Sequence, residues 1–290
     1  MIKILETPRD AMQGIPHFIP TEQKVRYLHS LLNVGFDQLD FGSFVSPRAI
    51  PQLSDSAQVI DQLDTTHSST EIIATVGNYR GAQRALQHSK VDTIAFPFSI
   101  SESFLRRNIN SNFEKGLQTI DNMLALCQQK GKQLQLYIAM AFGNPYNDPW
   151  NTDIVAKWVA ILIDRGIDRM VFADTTGDGS ATDIANTYAL INSEFPKLKP
   201  GAHLHTLPHN WKAKLSAAYE NSCRSFDTVL GGYGGCPMSG KALMGNLNTL
   251  NLLEFIKKKN ESHTLNLDAL YKAQTIASFI FANTPKSTIQ

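Results

Sequence analysis

Two histidines separated by one residue, His203 and His205, form the chemical pattern from which the function of this chain can be approached. Side chains two residues apart on an extended strand point to the same face, and at a rise of roughly 3.3 Å per residue their Cα atoms lie about 6.6 Å apart. Both imidazoles can then reach one metal ion. Two strand histidines with ordinary hydrogen bonds would show the same pattern, so other residues must complete the ligand shell.

Asp10 and Asn246 are the candidates that complete it. One carboxylate, two imidazoles and one amide carbonyl make a mixed nitrogen and oxygen shell with positions left for water or substrate. Such a shell suits Mn²⁺, Mg²⁺, Co²⁺ or Zn²⁺ in an open, catalytic site, and no cysteine has the spacing of a structural zinc ligand. The alternatives are that Asp10 pairs with its neighbour Arg9 and that Asn246 caps the helix that follows.

A permanent cation and a thiol could act beside this metal. Arg9 cannot lose its proton, so it is suited to hold an oxygen that becomes negative during a reaction; the alternative is a salt bridge with Asp40 or Asp174. Cys236 lies in a glycine-rich loop, where a thiol near positive charge can act as an acid or a nucleophile, although free cysteines are often buried fillers. Cys127 lies in an apolar periodic segment and is predicted to be in the core.

Composition excludes several classes of partner. The chain has 290 residues, 42% of them hydrophobic, and a formal net charge of +1, with no basic run. Nucleic acid and anionic membranes are therefore not expected partners, and no apolar run approaches membrane-spanning length. The three scattered cysteines indicate a reducing compartment. Because the chain runs into a strand pattern without a signal segment, we expect a soluble, cytoplasmic protein.

Eight strand patterns alternate with amphipathic helical patterns. The predicted strands are residues 2–6, 38–42, 71–76, 93–98, 134–139, 169–174, 201–205 and 228–232. The predicted helices are residues 22–33, 57–63, 82–88, 112–129, 154–165, 181–194, 212–220, 248–258 and 268–281. Eight such repeats without a linker predict an α/β fold, a (β/α)₈ TIM barrel with an additional C-terminal helix, forming one domain over residues 1–290. An open doubly wound sheet is the alternative, but no glycine-rich dinucleotide fingerprint follows the first strand.

In a barrel of this kind the chemistry lies where the strands end. Acids, histidines, an arginine and a cysteine occupy those ends here, and the opposite rim collects few such groups. The residues on this rim are Arg9, Asp10, Gln13, Asp40, Ser101, Asp174, His203, His205 and Cys236. Ser101 could alternatively cap the helix that follows it.

The order of these motifs resembles that of hydroxymethylglutaryl-CoA lyase, within a metal-dependent barrel superfamily that includes the isopropylmalate and citramalate synthases. The matching segments are Glu6 to Gln13 (ETPRDAMQ), Ser43 to Pro47 (SFVSP) with Pro51-Gln52, His203-x-His205, the Gly-Gly-Cys-Pro loop around Cys236, and Gly245-Asn246. The resemblance covers nearly the whole chain. The Gly-Gly-Cys-Pro loop and the SFVSP segment point to the lyase branch.

The resemblance implies a function and roles for these residues. Mg²⁺ or Mn²⁺ would be held by Asp10, His203, His205 and Asn246. The reaction would be cleavage of 3-hydroxy-3-methylglutaryl-CoA into acetyl-CoA and acetoacetate, in an enzyme expected to be a homodimer. Arg9 would neutralise the enolate oxygen, Cys236 would protonate the enolate carbon, and Asp40 or Asp174 would assist proton movement. Gln13 and Ser101 are assigned to substrate binding.

Several positions depart from the pattern of that family. Asp40 stands where a glutamate is usual, Thr206 where an aspartate is usual, Gln135 at the position aligned with an arginine, and Leu250 at that of a glutamate. These positions surround the substrate rather than the metal, so the acyl group is left open. A Claisen-type acyltransferase and a catalytically impaired metal-binding barrel are the alternative functions.

Overall fold

The strands close into a barrel in their order along the chain. The computed structural model describes residues 1–15, 17–234 and 244–282. Neighbouring strands are parallel, and the last pairs with the first, so that Asp227 lies opposite Leu5. The strands are β1 (Lys3–Glu6), β2 (Gln38–Ser43), β3 (Glu71–Thr75), β4 (Thr93–Ser99), β5 (Gln133–Ala139), β6 (Met170–Asp174), β7 (Gly201–Leu204) and β8 (Ser225–Thr228). This confirms the predicted (β/α)₈ TIM barrel.

Helices follow the strands and cover the outside of the barrel. They are α1 (Pro8–Gln13), α2 (Thr21–Leu32), α3 (Ser56–Gln62), α4 (Tyr79–Ala85), α5 (Glu102–Ile109), α6 (Phe113–Lys130), α7 (Thr152–Asp164), α8 (Ala181–Glu194), α9 (Trp211–Glu220), α10 (Thr249–Lys258) and α11 (Leu267–Ile280). Asparagine side chains cap several of them: Asn112, Asn151 and Asn266 each accept a backbone N–H of the first turn. The additional C-terminal helix is α11, which packs on α2. None of the described helices is long and apolar enough to cross a membrane.

The core has two layers. Inside the barrel, five buried side chains from different strands pack on one another: Leu5, Ile73, Ala95, Tyr137 and Val171. A larger cluster fills the space between the strands and the helices. Because successive strand residues face these two layers in turn, both faces are buried, which explains why the strands are apolar runs rather than alternating patterns.

The eighth strand lies earlier than predicted. It ends at Thr228, whereas the sequence pattern placed a strand over residues 228–232. Gly231 and Gly232 have φ angles of 89° and 71°, in the left-handed region that an extended strand does not use, so the chain turns there. The helical periodicity also missed α1, which begins at Pro8 immediately after β1 and is only six residues long.

Candidate functional site

A cluster of one carboxylate and two imidazoles lies at the C-terminal rim of the barrel. Asp10 belongs to α1, and His203 and His205 lie on and just beyond β7. Their possible ligand atoms all lie within 4.8 Å of one another, and all three side chains are buried. Residues almost 200 positions apart meet because β1 and β7 are both next to β8 in the closed barrel. The structure therefore brings together the three predicted ligands that carry an acid or an imidazole.

Hydrogen bonds orient both imidazole rings toward the same point. Nδ1 of His203 lies 3.0 Å from Asp227 Oδ2 on β8, and Nδ1 of His205 lies 2.9 Å from the carbonyl oxygen of Thr175. Carboxylate and carbonyl oxygens accept hydrogen bonds, so each Nδ1 carries a hydrogen, and in the neutral form of each ring Nε2 presents its lone pair to the site. A carboxylate or carbonyl behind a ligating imidazole is the usual support of a protein metal site.

The separation of the two Nε2 atoms fits a shared cation. They lie 3.2 Å apart, and Nε2 of His205 is 4.0 Å from Asp10 Oδ2. Two lone pairs that face each other at this distance repel unless a proton or a metal ion lies between them. Two nitrogens bound to one metal at about 2.1 Å each would be separated by about 3 Å. The donor set and its spacing therefore fit a divalent ion.

Electrostatic interactions keep Asp10 and His205 in the protonation states that bind a metal. Burial acts to raise the pKa of Asp10, but the charge of Arg9 and the nearby imidazoles outweigh it and lower the pKa to about 2. Burial, aided by His203, lowers the pKa of His205 to about 4. At neutral pH Asp10 is thus an anion and His205 is neutral, the forms that donate electron pairs to a metal.

Asn246 lies beside this cluster and is not the helix cap. Its Nδ2 donates to Asp10 Oδ2 and to the carbonyl of Tyr233, both at 2.8 Å, and its backbone forms an isolated bridge with His205. The cap of α10 is instead Asn248, which accepts the N–H of Leu250. A Cβ at Gly234, whose φ is 92°, would come within 2.9 Å of Asn246 Nδ2, so only glycine lets this loop approach the cluster.

Arg9 connects Asp10 of the Asp-His-His cluster to a second carboxylate, that of Asp40. Its Nη1 donates to Asp10 Oδ1 at 3.0 Å, while its Nε and Nη2 contact Asp40 Oδ2 at 2.8 and 2.6 Å. Gln13 donates to Asp10 Oδ1 at 2.7 Å and accepts from Arg9 at 3.2 Å. Burial raises the pKa of Asp40 in spite of the opposing charge of Arg9. Arg9, Asp40 and Gln13 therefore all lie against the cluster. The alternative given for Arg9, a salt bridge with Asp40, is observed, and so is the alternative given for Asp10, its pairing with Arg9.

Asp174 and Ser101 lie on the same rim, but their polar atoms are engaged elsewhere. Asp174 Oδ2 lies 2.5 Å from Lys214 Nζ, and its Oδ1 accepts from the backbone of Gly179 at 3.0 Å. Ser101 caps α5 and donates to Asp148 Oδ2 at 2.5 Å. The capping alternative for Ser101 is thus observed, and roles in proton transfer for Asp174 and in substrate binding for Ser101 stay predictions.

The cysteines differ in what the structure describes. Cys236 lies outside the described residues, so its predicted role as an acid stays a prediction. Cys127 and Cys223 are buried free thiols, and burial raises the pKa of Cys127 to about 11 and that of Cys223 to about 12. Neither is a reactive thiolate near neutral pH, which agrees with the core position predicted for Cys127.

Sequence reasoning missed three polar residues that support this site: Asp227, Lys214 and Glu6. Asp227 interrupts an apolar stretch and lies opposite His203 across the β7–β8 pair. A charged residue within a buried strand indicates a functional or paired group. Because the predicted eighth strand began at residue 228, Asp227 was not recognised as part of a strand. Lys214 in α9 belongs to no motif, and Glu6 opens the ETPRDAMQ segment but was given no role there, so only their buried contacts reveal what they do.

A closed (β/α)₈ barrel with an Asp-His-His cluster at its C-terminal rim defines a class of barrel enzymes whose site takes a divalent cation. The sequence profile of the HMGL-like family matches residues 2–276, and this chain belongs to that family. The resemblance found in the motifs is thereby confirmed.

Individual relatives agree with the family assignment. The chain is 27% identical to a hydroxymethylglutaryl-CoA lyase of Bacillus subtilis over 92% of this chain and 88% of the relative. It is 30% identical to the 3-hydroxy-3-isohexenylglutaryl-CoA/hydroxymethylglutaryl-CoA lyase of Pseudomonas aeruginosa, over 94% and 90% of the two chains. The structure of an HMG-CoA lyase from Acinetobacter baumannii, in complex with coenzyme A and 3-methylmalate, matches with a TM-score of 0.89 at 26% identity, covering 100% of this chain and 97% of that one.

Proposed function

We propose that this protein is a divalent-metal-dependent carbon–carbon lyase that cleaves 3-hydroxy-3-methylglutaryl-CoA into acetyl-CoA and acetoacetate. The observation that carries the proposal is the position of Arg9, which connects the carboxylate of the metal cluster, Asp10, to the buried carboxylate of Asp40. A cation at this position can hold an oxygen that becomes negative during the cleavage, and the buried carboxylate beside it can take a proton. The HMGL-like family and the lyase relatives support the same reaction.

Asp10, His203 and His205, with Asn246 beside them, would hold the metal. A mixed oxygen and nitrogen shell favours Mg²⁺ or Mn²⁺, with Zn²⁺ and Co²⁺ as alternatives. When bound, the ion would lower the pKa of the tertiary hydroxyl of the substrate and orient the hydroxyl for reaction. Proton transfer and stabilisation of the negative charge are assigned to the side chains around it.

Proton movement and charge stabilisation fall to Asp40, Arg9 and Cys236. Asp40 would take the hydroxyl proton, because burial has already raised its pKa. The bond between the hydroxyl-bearing carbon and the carbon next to the thioester then breaks, which releases acetoacetate and leaves the enolate of acetyl-CoA. Arg9 would hold the enolate oxygen, and the thiol of Cys236 would protonate the enolate carbon to complete acetyl-CoA. Asp174 is not assigned here, since Lys214 and Gly179 already occupy both of its carboxylate oxygens.

Acyl-group selectivity is proposed from the chemistry of the relatives. The Pseudomonas aeruginosa relative is named for two substrates that differ in the side chain on C3. In this chain we assign Gln13 to substrate binding, which is supported by its bonds to both Arg9 and Asp10. We propose 3-hydroxy-3-methylglutaryl-CoA as the first substrate to assay and its homologues with longer C3 substituents as the second.

A metal titration combined with a product assay tests this proposal. Protein stripped with a chelator should release acetoacetate from 3-hydroxy-3-methylglutaryl-CoA only after Mn²⁺ or Mg²⁺ is restored. Asp10→Ala and His205→Ala should lose metal binding and turnover together. Metal binding without cleavage of any 3-hydroxyacyl-CoA would instead support the impaired barrel. Condensation of acetyl-CoA with a 2-oxo acid would support the acyltransferase.

We also propose, from the family resemblance, that the enzyme works as a homodimer in the cytoplasm. Light scattering coupled to size-exclusion chromatography checks the first point, because a dimer has twice the 32.2 kDa of one chain. A monomeric mass at micromolar concentration would contradict it.

A further inference from the structure

Lys214 is a buried cation directly behind the proposed metal site. It lies in the first turn of α9 and is 3% exposed. Its Nζ donates to three acceptors: Asp174 Oδ2 at 2.5 Å, the carbonyl of Gly177 at 2.7 Å and the carbonyl of His205 at 3.1 Å. All three N–H groups of the ammonium are therefore satisfied without water.

These three contacts hold one metal ligand from two sides. Lys214 fixes the backbone of His205 directly. It also fixes both ends of residues 174–177, and the carbonyl of Thr175 within that segment accepts from Nδ1 of the His205 ring. The ring direction of His205 therefore depends on a segment that Lys214 holds in place.

Charge balance explains why the arrangement needs a cation at this position. Asp174 is 3% exposed, and a buried carboxylate without a counter-charge is costly. Without Lys214, the backbone N–H of Gly179 would be the one remaining hydrogen-bond partner of the Asp174 carboxylate among the described residues. The segment would then have to move to bring the Asp174 carboxylate to water, and the Thr175 carbonyl would move with it.

We propose that Lys214 is a positioning residue that sets the orientation of the His205 imidazole for metal binding, with Asp174 as its counter-ion. The proposal deepens the function proposed above, since it assumes that His205 is a metal ligand. It also gives Asp174 a role that needs no contact with substrate.

A matched pair of buried lysines provides the test. Lys24 is 1% exposed, contacts Asp55 Oδ1 at 2.6 Å and donates to the carbonyl of Gln52, so it has the same chemistry between α2 and the segment preceding α3. Lys214→Met and Lys24→Met should both lower the melting temperature. Only Lys214→Met should weaken Mn²⁺ binding, by about 10- to 100-fold in calorimetric titration, as is typical when the support of a ligating histidine is lost.

The direction of the change in Mn²⁺ affinity distinguishes a positioning role of Lys214 from a simple effect of its charge. If Lys214 acted only as a positive charge near the site, its removal would tighten Mn²⁺ binding, because repulsion between two cations would be lost. Tighter or unchanged binding in Lys214→Met, or an equal loss in Lys24→Met, would overturn the proposal. The double variant Lys214→Met/Asp174→Asn should recover melting temperature, since no carboxylate is left unpaired, but only part of the Mn²⁺ affinity, since the carbonyls of Gly177 and His205 still lack their donor.

A metal-free measurement keeps this test independent of the proposed function. In long-range ¹H–¹⁵N spectra of the apo protein, with His205→Gln to assign the signal, His205 should be the neutral Nδ1–H tautomer that the Thr175 carbonyl requires. Lys214→Met should shift it toward the Nε2–H form, whereas Lys24→Met should not. A retained Nδ1–H tautomer in Lys214→Met would refute the positioning role even if the wild-type protein binds no metal.

Discussion

At the scale of single residues, the site is organised by the acceptors behind the two imidazoles. Asp227 and the Thr175 carbonyl each hold one Nδ1, which leaves both Nε2 atoms 3.2 Å apart and facing inward. These acceptors come from β8 and from the loop after β6, on either side of β7. If both imidazoles are ligands, as proposed, their orientation is set before a metal arrives, which lowers the reorganisation that binding requires.

Asp227→Asn should weaken metal binding while the barrel stays folded. The amide can still accept from His203 Nδ1, but it loses the charge that strengthens this bond, so we expect a loss of about 10-fold or more in Mn²⁺ affinity. Isothermal titration of the metal-free protein measures it. Asp121→Asn, which removes a partner of Arg165 on the outer surface, is the control. Equal affinity in the Asp227 and Asp121 variants would remove Asp227 from the site.

Cys236→Ser should separate chemistry from metal binding. If the thiol protonates the enolate, the weaker acidity of serine should lower kcat by about 10²- to 10⁴-fold. Mn²⁺ affinity should not change, because metal binding is proposed for Asp10, His203 and His205, whereas Cys236 is proposed to transfer a proton. Cys127→Ser, which alters a buried thiol in α6, is the control for general damage. A normal kcat in Cys236→Ser would exclude the thiol from the mechanism.

At the scale of elements, Glu6 ties three of them together at the active-site rim. It ends β1, and its carboxylate accepts from Leu230 N at 2.5 Å after β8 and from the Thr249 hydroxyl at 2.8 Å in the first turn of α10. The Thr228 hydroxyl donates to it at 3.0 Å. Asp10 follows four residues later in the chain. The Glu6 carboxylate thus fixes the end of β1 against the end of β8, next to the Asp-His-His cluster.

The titration of Glu6 predicts a pH dependence of stability. Burial, partly offset by its hydrogen bonds, raises the pKa of Glu6 from 4.5 to about 7. Between these values the unfolded chain has lost this proton and the folded chain retains it, so the free energy of unfolding falls as the pH rises. The shift corresponds to about 3 kcal/mol, present in full below pH 4.5 and lost above pH 7.

Urea unfolding of wild type and Glu6→Gln at several pH values checks this prediction. The variant cannot titrate, so its free energy of unfolding should fall less steeply than that of the wild type between pH 4.5 and 7. Glu254→Gln, at an exposed surface pair with Lys258, should behave like the wild type. Parallel curves for wild type and Glu6→Gln would show that the carboxylate does not carry the raised pKa.

At the scale of the whole molecule, apolar packing and the proposed metal site involve different kinds of side chain. Two clusters of apolar side chains form the core, whereas the proposed metal site consists of Asp10, His203 and His205 at the rim, where Tyr137 of the inner cluster packs against His203. A chelator should therefore lower the melting temperature without changing the far-ultraviolet circular dichroism at 25 °C. Mn²⁺ at 100 times its Kd should add about 2.7 kcal/mol to the free energy of unfolding.

Asp10→Ala is the control for that measurement, since its melting temperature should not respond to Mn²⁺. Loss of secondary structure on chelation would show instead that the fold depends on the metal. The absence of any Mn²⁺-dependent shift in the wild type would contradict the site.

Much of the architecture could be read from the chain alone, because its signals are local. Buried parallel strands are apolar runs, and the helices that cover them show amphipathic periodicity. The sequence pattern alone therefore predicts the eight repeats and α11. The His203–His205 spacing and the Arg9–Asp10 pair are equally local. That they should meet followed from barrel closure, which places all strand ends on one rim.

The tertiary structure decided what these residues contact. The position of β8 depends on its pairing with β1. In the sequence the glycines after β8 are compatible with a longer strand, but in the structure their positive φ angles turn the chain there. Asp227 reaches His203 only through that pairing. The pairing of Asp174 with Lys214 across 40 residues, rather than with Arg9, depends on the packing of α9 against the rim. Local patterns determine which elements form, whereas the choice of partner for a buried charge is made by three-dimensional proximity, because burial removes the water that would otherwise solvate it.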